Sequence, residues 1–243
     1  MAISPLVLSV HLLIFIVDAV SVYYDLFLID LGNTGFGGKF KFLTVWNICF
    51  QAVYFGLCVI SDLYGNEKTP LEHARRSVLL KVRDFLHTTV AFPMGMFVVV
   101  TFWILYAVDR ELVYPKSLDS IIPSWLNHVL HTTVMPFLLV DKLLVYHHHP
   151  RKHVGILGAG GVALIYISWI LFIAYYDNFW VYPILQILQT SERVVFIFVC
   201  FMFFASIYIL GESITAFLWP FSQQRKRVFM HVNRNEKMWS FGF

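Results

Sequence analysis

The chain has 243 residues, of which 58% are hydrophobic and only 14% charged, with a mean hydropathy of +0.69. A soluble domain carries about 25% charged residues, so this composition excludes one and points to the membrane. A net charge of +3 is too small to imply nucleic-acid binding, and Cys49, Cys58 and Cys200 all sit inside apolar runs, without a Cys-x-x-Cys metal spacing or a disulfide framework.

The apolar residues come in long runs rather than in alternation, which predicts helices and not a barrel. A span needs about 20 such residues, and six are predicted, at 3–24, 40–60, 85–108, 125–146, 155–176 and 194–219. Connections are short, so residues 1–243 are read as a single integral membrane domain, an all-α polytopic helical bundle. No basic region precedes the first run and no small-residue cleavage site follows it, so it is read as a retained span.

The segment 61–84 has soluble character, with Lys68, Arg75, Arg76, Lys81 and Arg83. Val78, Leu79, Leu80 and Val82 there predict an amphipathic interfacial helix. In the third span Pro93 and Gly95 predict a kink or a close helix approach. Past the fourth span, His147, His148 and His149 with Pro150, Arg151 and Lys152 read as a solvated interfacial loop. In the fifth, Gly158, Ala159, Gly160 and Gly161 permit close backbone packing. Glu212 in the sixth reads as an ion-pair or hydrogen-bond anchor. Asp18, His87, Asp141 and Lys142 fall close to predicted span ends, where snorkelling lowers the cost of charge.

Basic residues set orientation. With six spans, 12 of the 18 Lys and Arg share a side with the termini and 5 lie opposite, while Lys142 leans toward the richer side. Both termini are therefore expected to be cytoplasmic.

The fourth span opens with "SWLNHVLHTTVMPF". Ionisable groups in hydrocarbon are expensive and mark functional sites by default. The second span begins "KFKFLTVWNICFQ", where Thr44, Asn47 and Gln51 share one helix face. Both spans start on the outer side. At 1.5 Å per residue Thr44 lies roughly 6 Å inward and His131 roughly 9 Å inward. If these helices pack together, Thr44 can meet His131. A threonine hydroxyl needs an adjacent base to act as a nucleophile, and histidine is the usual base near neutral pH. Asn127 and His128, one turn before His131, are candidates to orient it or the substrate. Asn47 and Asn127 are candidate oxyanion donors by position. Two other readings stand beside this one: polar residues that only join helices, and a metal held by His128 and His131. His149 lies ~27 Å further along an unbroken helix and cannot share such a metal.

The motifs "KFLTVWNICFQAVYFG", "RDFLHTTVAFP", "FWILYAVDRELVYPK", "IPSWLNHVLHTTVMPF", "WVYP" and "YILGE" occur in order from Lys39 to Glu212. Together they resemble the androgen-induced gene family of small multi-pass membrane proteins. The resemblance implies a threonine hydrolase that cleaves fatty acid esters of hydroxy fatty acids. Its catalytic Thr, after a Phe/Tyr-Leu/Met pair, matches Thr44, and the second His of its Asn-His-x-x-His matches His131. One position departs: Asn178 stands where similar proteins carry Gly, two residues before Trp180. The expectation is a lipid-ester hydrolase without metal or organic cofactor, in the plasma membrane or endoplasmic reticulum, with its site in the outer half of the bilayer. The alternative is a non-enzymatic lipid-binding or regulatory membrane protein. Lipid substrate and membrane lipids are the expected partners, and nucleic acid is not.

Overall fold

A computed structural model describes residues 4–32, 35–65 and 77–220 of the chain. All regular structure among the described residues is helical. Helix α1 runs Pro5–Tyr23 and continues as a π turn over Tyr24–Leu28, and α2 runs Leu43–Tyr64. Helix α3 is continuous over Val78–Val108, and α4 spans residues 124–144. Helix α5 is Lys152–Tyr176, the short α6 is Pro183–Ile187 and α7 is Thr190–Leu218. Proline opens α1 and α6 at the first turn, where its missing N–H costs nothing. A capping box between Gln189 and Glu192 starts α7.

Five helices, α1, α2, α3, α5 and α7, are long and apolar enough to cross a membrane. The fourth of the six predicted spans, α4, is a continuous helix of comparable length, but Asn127, His128, His131, Asp141 and Lys142 lower its apolarity. It packs against α1, α2 and α3, so its polar groups have protein to face. Outward-facing Leu157, Phe198 and Phe217 are 72%, 62% and 84% exposed, as helices that meet lipid require.

Two prolines shape the bundle. Proline inside a helix clashes with the carbonyl one turn back. Here the chain widens to a π turn just before each one: His87–Ala91 before Pro93, and Val129–Thr133 before Pro136. Three helices meet at Gly95. A Cβ there would fall 2.5 Å from Leu138, 2.7 Å from Val134 and 2.9 Å from Gln51. Of the expected kink or close approach, the close approach at Gly95 is present. In α5 the tightest approach is at Gly155, where a Cβ would lie 2.0 Å from Tyr208, ahead of the expected Gly158–Gly161 run.

Several sequence expectations are corrected. Residues 78–86 are not a separate interfacial helix. They form the first turns of α3, because Leu80 and Arg83 are buried against the bundle. His147 is fully buried and not solvated. Asp18, His87, Asp141 and Lys142 are also buried to 1% exposure or less, so they turn inward and do not snorkel. Glu212 makes no ion pair or hydrogen bond with a described residue. The anchor in α7 is Thr215, which accepts from Lys142 Nζ at 2.8 Å. Lys68, Arg75, Arg76 and the basic residues of the C-terminal tail lie outside the described residues.

Candidate active site

Helices α2 and α4 run parallel and bring Thr44 and His131 together. Thr44 occupies the first turn of α2, and its Oγ1 lies 3.2 Å from His131 Nε2. The other ring nitrogen, Nδ1, lies 2.9 Å from Asn127 Oδ1 and 3.1 Å from the Asn127 backbone oxygen. A backbone carbonyl can only accept, so Nδ1 carries the hydrogen. Nε2 therefore presents a lone pair to the Thr44 hydroxyl. The result is an ordered chain from hydroxyl to imidazole to amide, the arrangement that activates a weak nucleophile.

His131 sits inside the π turn of α4, and such turns recur at functional sites. Its ring stacks on Phe102, with centroids 3.7 Å apart and planes inclined by 13°. The Trp103 indole donates to the His131 carbonyl at 2.8 Å. Pro136 leaves the helix one donor short at this level, and the indole supplies one from α3. The imidazole is thus held on one face, at one nitrogen and through its backbone.

The start of α2 is fixed as firmly. Tyr182 accepts the Leu43 N–H at 3.0 Å, and the Tyr182 and Tyr166 hydroxyls are 2.8 Å apart. Tyr166 in turn donates to the Lys41 carbonyl at 2.9 Å. These tyrosines were missed as site residues in the sequence, although "WVYP" was noted as a motif. Asn178, just before that motif, has φ +49° and is the non-glycine residue with positive φ among those described. Asparagine tolerates this left-handed conformation better than other side chains, which explains how it replaces glycine there.

The other candidates separate. Asn127 joins the Thr–His pair. His128 is exposed, pairs with Thr132 Oγ1 at 3.1 Å and packs near Trp103. His131 instead engages Thr44 and Asn127, and the two histidines share no metal-ligand group among the described residues. Asn47 is fully buried with its carbonyl accepting from Gln51 at 3.0 Å, and it does not line the adjoining cavity.

That cavity, of about 470 Å³, has Thr44 and His131 in its wall. Its lining is otherwise almost wholly apolar, including Phe97, Val98, Ile170, Leu185, Ile197 and Phe204, with contributions from α2, α3, α5 and α7. Lys39 and Lys41 line one end. Burial pulls the Lys41 ammonium below the ordinary lysine range, and Asp177 opposes that shift. A mainly apolar cavity with the Thr44–His131 pair in its wall, and with Asp25, Lys39, Lys41 and Thr101 as its other charged or hydroxyl-bearing aliphatic groups, suits a lipid chain carrying a reactive group.

Fold and site together define a class: polytopic helical membrane proteins that bury a Thr–His–Asn chain beside an apolar cavity. The chain belongs to the family described as FAR-17a/AIG1-like protein, which it matches over residues 6–216. It is 37% identical to the human androgen-induced gene 1 protein over 191 residues, 76% of this chain and 79% of that protein. It is 35% identical to the human androgen-dependent TFPI-regulating protein over 191 residues, 79% and 82% of the two. A fission yeast (Schizosaccharomyces pombe) UPF0641 membrane protein is 25% identical over 194 residues, 76% of this chain and 78% of its own length. No solved structure matches.

Proposed function

We propose that this protein is an intramembrane hydrolase that cleaves the ester bond of fatty acid esters of hydroxy fatty acids, with Thr44 as nucleophile and His131 as general base. The observation that carries this reading is the 3.2 Å contact between Thr44 Oγ1 and His131 Nε2 at the wall of the apolar cavity. His131 Nε2 takes the hydroxyl proton as Thr44 Oγ1 attacks the ester carbonyl carbon. The ester C–O bond breaks, and His131 returns the proton to the departing hydroxy fatty acid. Water, deprotonated by His131, then hydrolyses the acyl-Thr44 ester and releases the fatty acid.

The tetrahedral oxyanion needs a donor. Leu43 N–H is already engaged by Tyr182. Thr44 N–H is the next amide in the uncapped first turn of α2, where the helix dipole also favours negative charge. It takes the oxyanion role in this mechanism. Asn127 orients the base through its Oδ1 and does not line the cavity that would hold the substrate. By the asymmetry of basic residues, the site faces the outer half of the plasma membrane or endoplasmic reticulum bilayer.

Covalent labelling by a fluorophosphonate tests the reading. The wild-type protein should be labelled and Thr44→Val should not, with both accumulating equally in membranes. A lipid-binding or regulatory protein with the same cavity would bind fatty acyl chains but leave the probe unreacted, and that result would overturn the proposal.

A further inference from the structure

A second polar cluster lies at the opposite end of α2 and α4 from Thr44 and His131. Asp141 is ten residues beyond His131 in α4, about 15 Å along the helix, and it is fully buried. Three histidines surround its carboxylate. His11 Nε2 of α1 is 3.1 Å from Oδ1, while His87 Nδ1 of α3 and His147 Nε2 lie 3.2 Å and 3.1 Å from Oδ2. All three imidazoles are fully buried. The His87 and His147 rings stack with centroids 3.9 Å apart.

The Tyr54 hydroxyl also donates to Asp141 Oδ2 at 2.5 Å, yet one member of the cluster is left without a hydrogen bond. Neither ring nitrogen of His87 makes a hydrogen bond among the described residues, although both are shielded from solvent. Its Nδ1 is close to Asp141 but off the angle a hydrogen bond requires. Among the described residues the ion-pair partners of Asp62 and Asp141 are histidines. Lys142, beside Asp141 in sequence, is turned to Thr215 instead. Buried carboxylates need compensating charge, and a dication beside Asp141 supplies it while giving the unpartnered His87 ring a ligand role.

The distances fit a metal. Two atoms that each lie about 2.0–2.1 Å from a tetrahedral zinc are about 3.3 Å apart, and both imidazole-to-Asp141 Oδ2 separations are within 0.2 Å of that. The outer ring of contacts fits too. Histidine ligands usually carry a carboxylate on the nitrogen facing away from the metal. His147 Nδ1 has Asp84 Oδ1 at 3.3 Å. Asp84 is itself held by Arg83 at 3.0 Å and by the His148 N–H at 3.2 Å.

We infer that His87, Asp141 and His147 form a binding site for one divalent transition-metal ion, zinc in first place, that ties α3 and α4 to the segment after α4. Imidazole and carboxylate donors suit zinc. The groups are closed off from solvent and distant from Thr44, so the ion is structural. This inference does not depend on the hydrolase reading.

The test uses the full chain carrying a non-histidine affinity tag, purified in detergent without chelator from cells grown with zinc or with cobalt. Elemental analysis of the wild type should give one metal ion per chain. His87→Ala and His147→Ala should each lose it, whereas His128→Ala should keep it. If the first two variants do not accumulate, the visible spectrum of the cobalt-grown wild type decides. Tetrahedral d–d bands without a thiolate charge-transfer band are expected. A metal-free wild type in both media, metal retained in His87→Ala or His147→Ala, or a thiolate band assigning Cys58 would each overturn the inference.

Discussion

His131 Nε2 lies 3.2 Å from Thr44 Oγ1, and on its far side Nδ1 lies 2.9 Å from Asn127 Oδ1. The geometry fixes the direction of proton flow from hydroxyl to imidazole. Thr44→Val keeps the shape of the side chain and removes the oxygen. Ester hydrolysis should fall by roughly 10³-fold or more, as for loss of a covalent nucleophile, with little change in melting temperature. Thr44→Ser keeps the oxygen and loses only the methyl that restricts its rotamer, so measurable turnover should remain. Wild-type turnover in Thr44→Val would rule out the nucleophile assignment.

The two histidines of α4 should behave differently. His131→Ala removes the base and should abolish hydrolysis. His128 faces Thr132 on the exposed side of α4, so His128→Ala should retain most activity. Asn127→Leu removes the side-chain acceptor at Nδ1 but keeps the backbone one, so the tautomer stays and the ring is held less firmly, and kcat should drop by about 10-fold, less than a full general acid–base contribution. Steady-state kinetics on all three variants check this. Equal losses from His128→Ala and His131→Ala would contradict the geometry.

The meeting of Thr44 and His131 was legible because helical rise is fixed. Counting residues inward from two span starts on one side gives depth without any knowledge of packing. Pro93 and Gly95 were legible for a similar reason, since each acts on the backbone directly. His147 was not legible. Sequence periodicity says which face a residue occupies, but it cannot say that the segment after α4 folds back beneath the bundle to reach Asp84 and Asp141. The contact of Tyr182 with Leu43 bridges 139 positions, and nothing local to either residue announces it.

Asn178 adopts φ +49° in the connection between α5 and α6. Glycine and asparagine both reach that conformation, whereas other side chains are strained there by about 1–2 kcal/mol. Asn178→Gly should therefore be neutral in stability and activity. Asn178→Val should lower the melting temperature and reduce hydrolysis, because this turn leads directly to Tyr182. A thermal melt in detergent of both variants beside the wild type decides it, and an unperturbed Asn178→Val would show that the turn does not hold the site.

Gly95 is the point where α2, α3 and α4 touch. A Cβ there would meet Leu138 at 2.5 Å and Val134 at 2.7 Å, and both belong to the helix that carries His131. Overpacking a core typically costs about 1–3 kcal/mol, and here it also pushes α4 away from α2. Gly95→Ala should lower both melting temperature and kcat. If kcat were unchanged while stability fell, the spacing of α2 and α4 would not control the Thr44–His131 contact.

Tyr182 is the residue through which the start of α6 reaches the first turn of α2. Its hydroxyl accepts the Leu43 N–H at 3.0 Å and pairs with Tyr166, whose hydroxyl donates to the Lys41 carbonyl at 2.9 Å. Since Tyr166 donates to Lys41, Tyr182 donates to Tyr166 and accepts from Leu43, so the two hydroxyls have a consistent hydrogen order. They clamp the backbone on either side of Phe42, two residues before Thr44. Tyr182→Phe keeps the ring, which packs near Phe42 at 6.4 Å between centroids, and deletes only the oxygen. A single buried hydrogen bond contributes about 1 kcal/mol to stability, so the protein should still fold. The Leu43 amide, deprived of its acceptor, is then free to turn, and the first turn of α2 loses the alignment that presents the Thr44 oxygen to His131. Hydrolysis and fluorophosphonate labelling should both fall by about 10-fold, since small misplacements of a nucleophile carry large rate penalties. Tyr166→Phe should have a smaller effect, because Leu43 keeps its acceptor. Wild-type labelling in Tyr182→Phe would show that the first turn of α2 holds its register without this clamp.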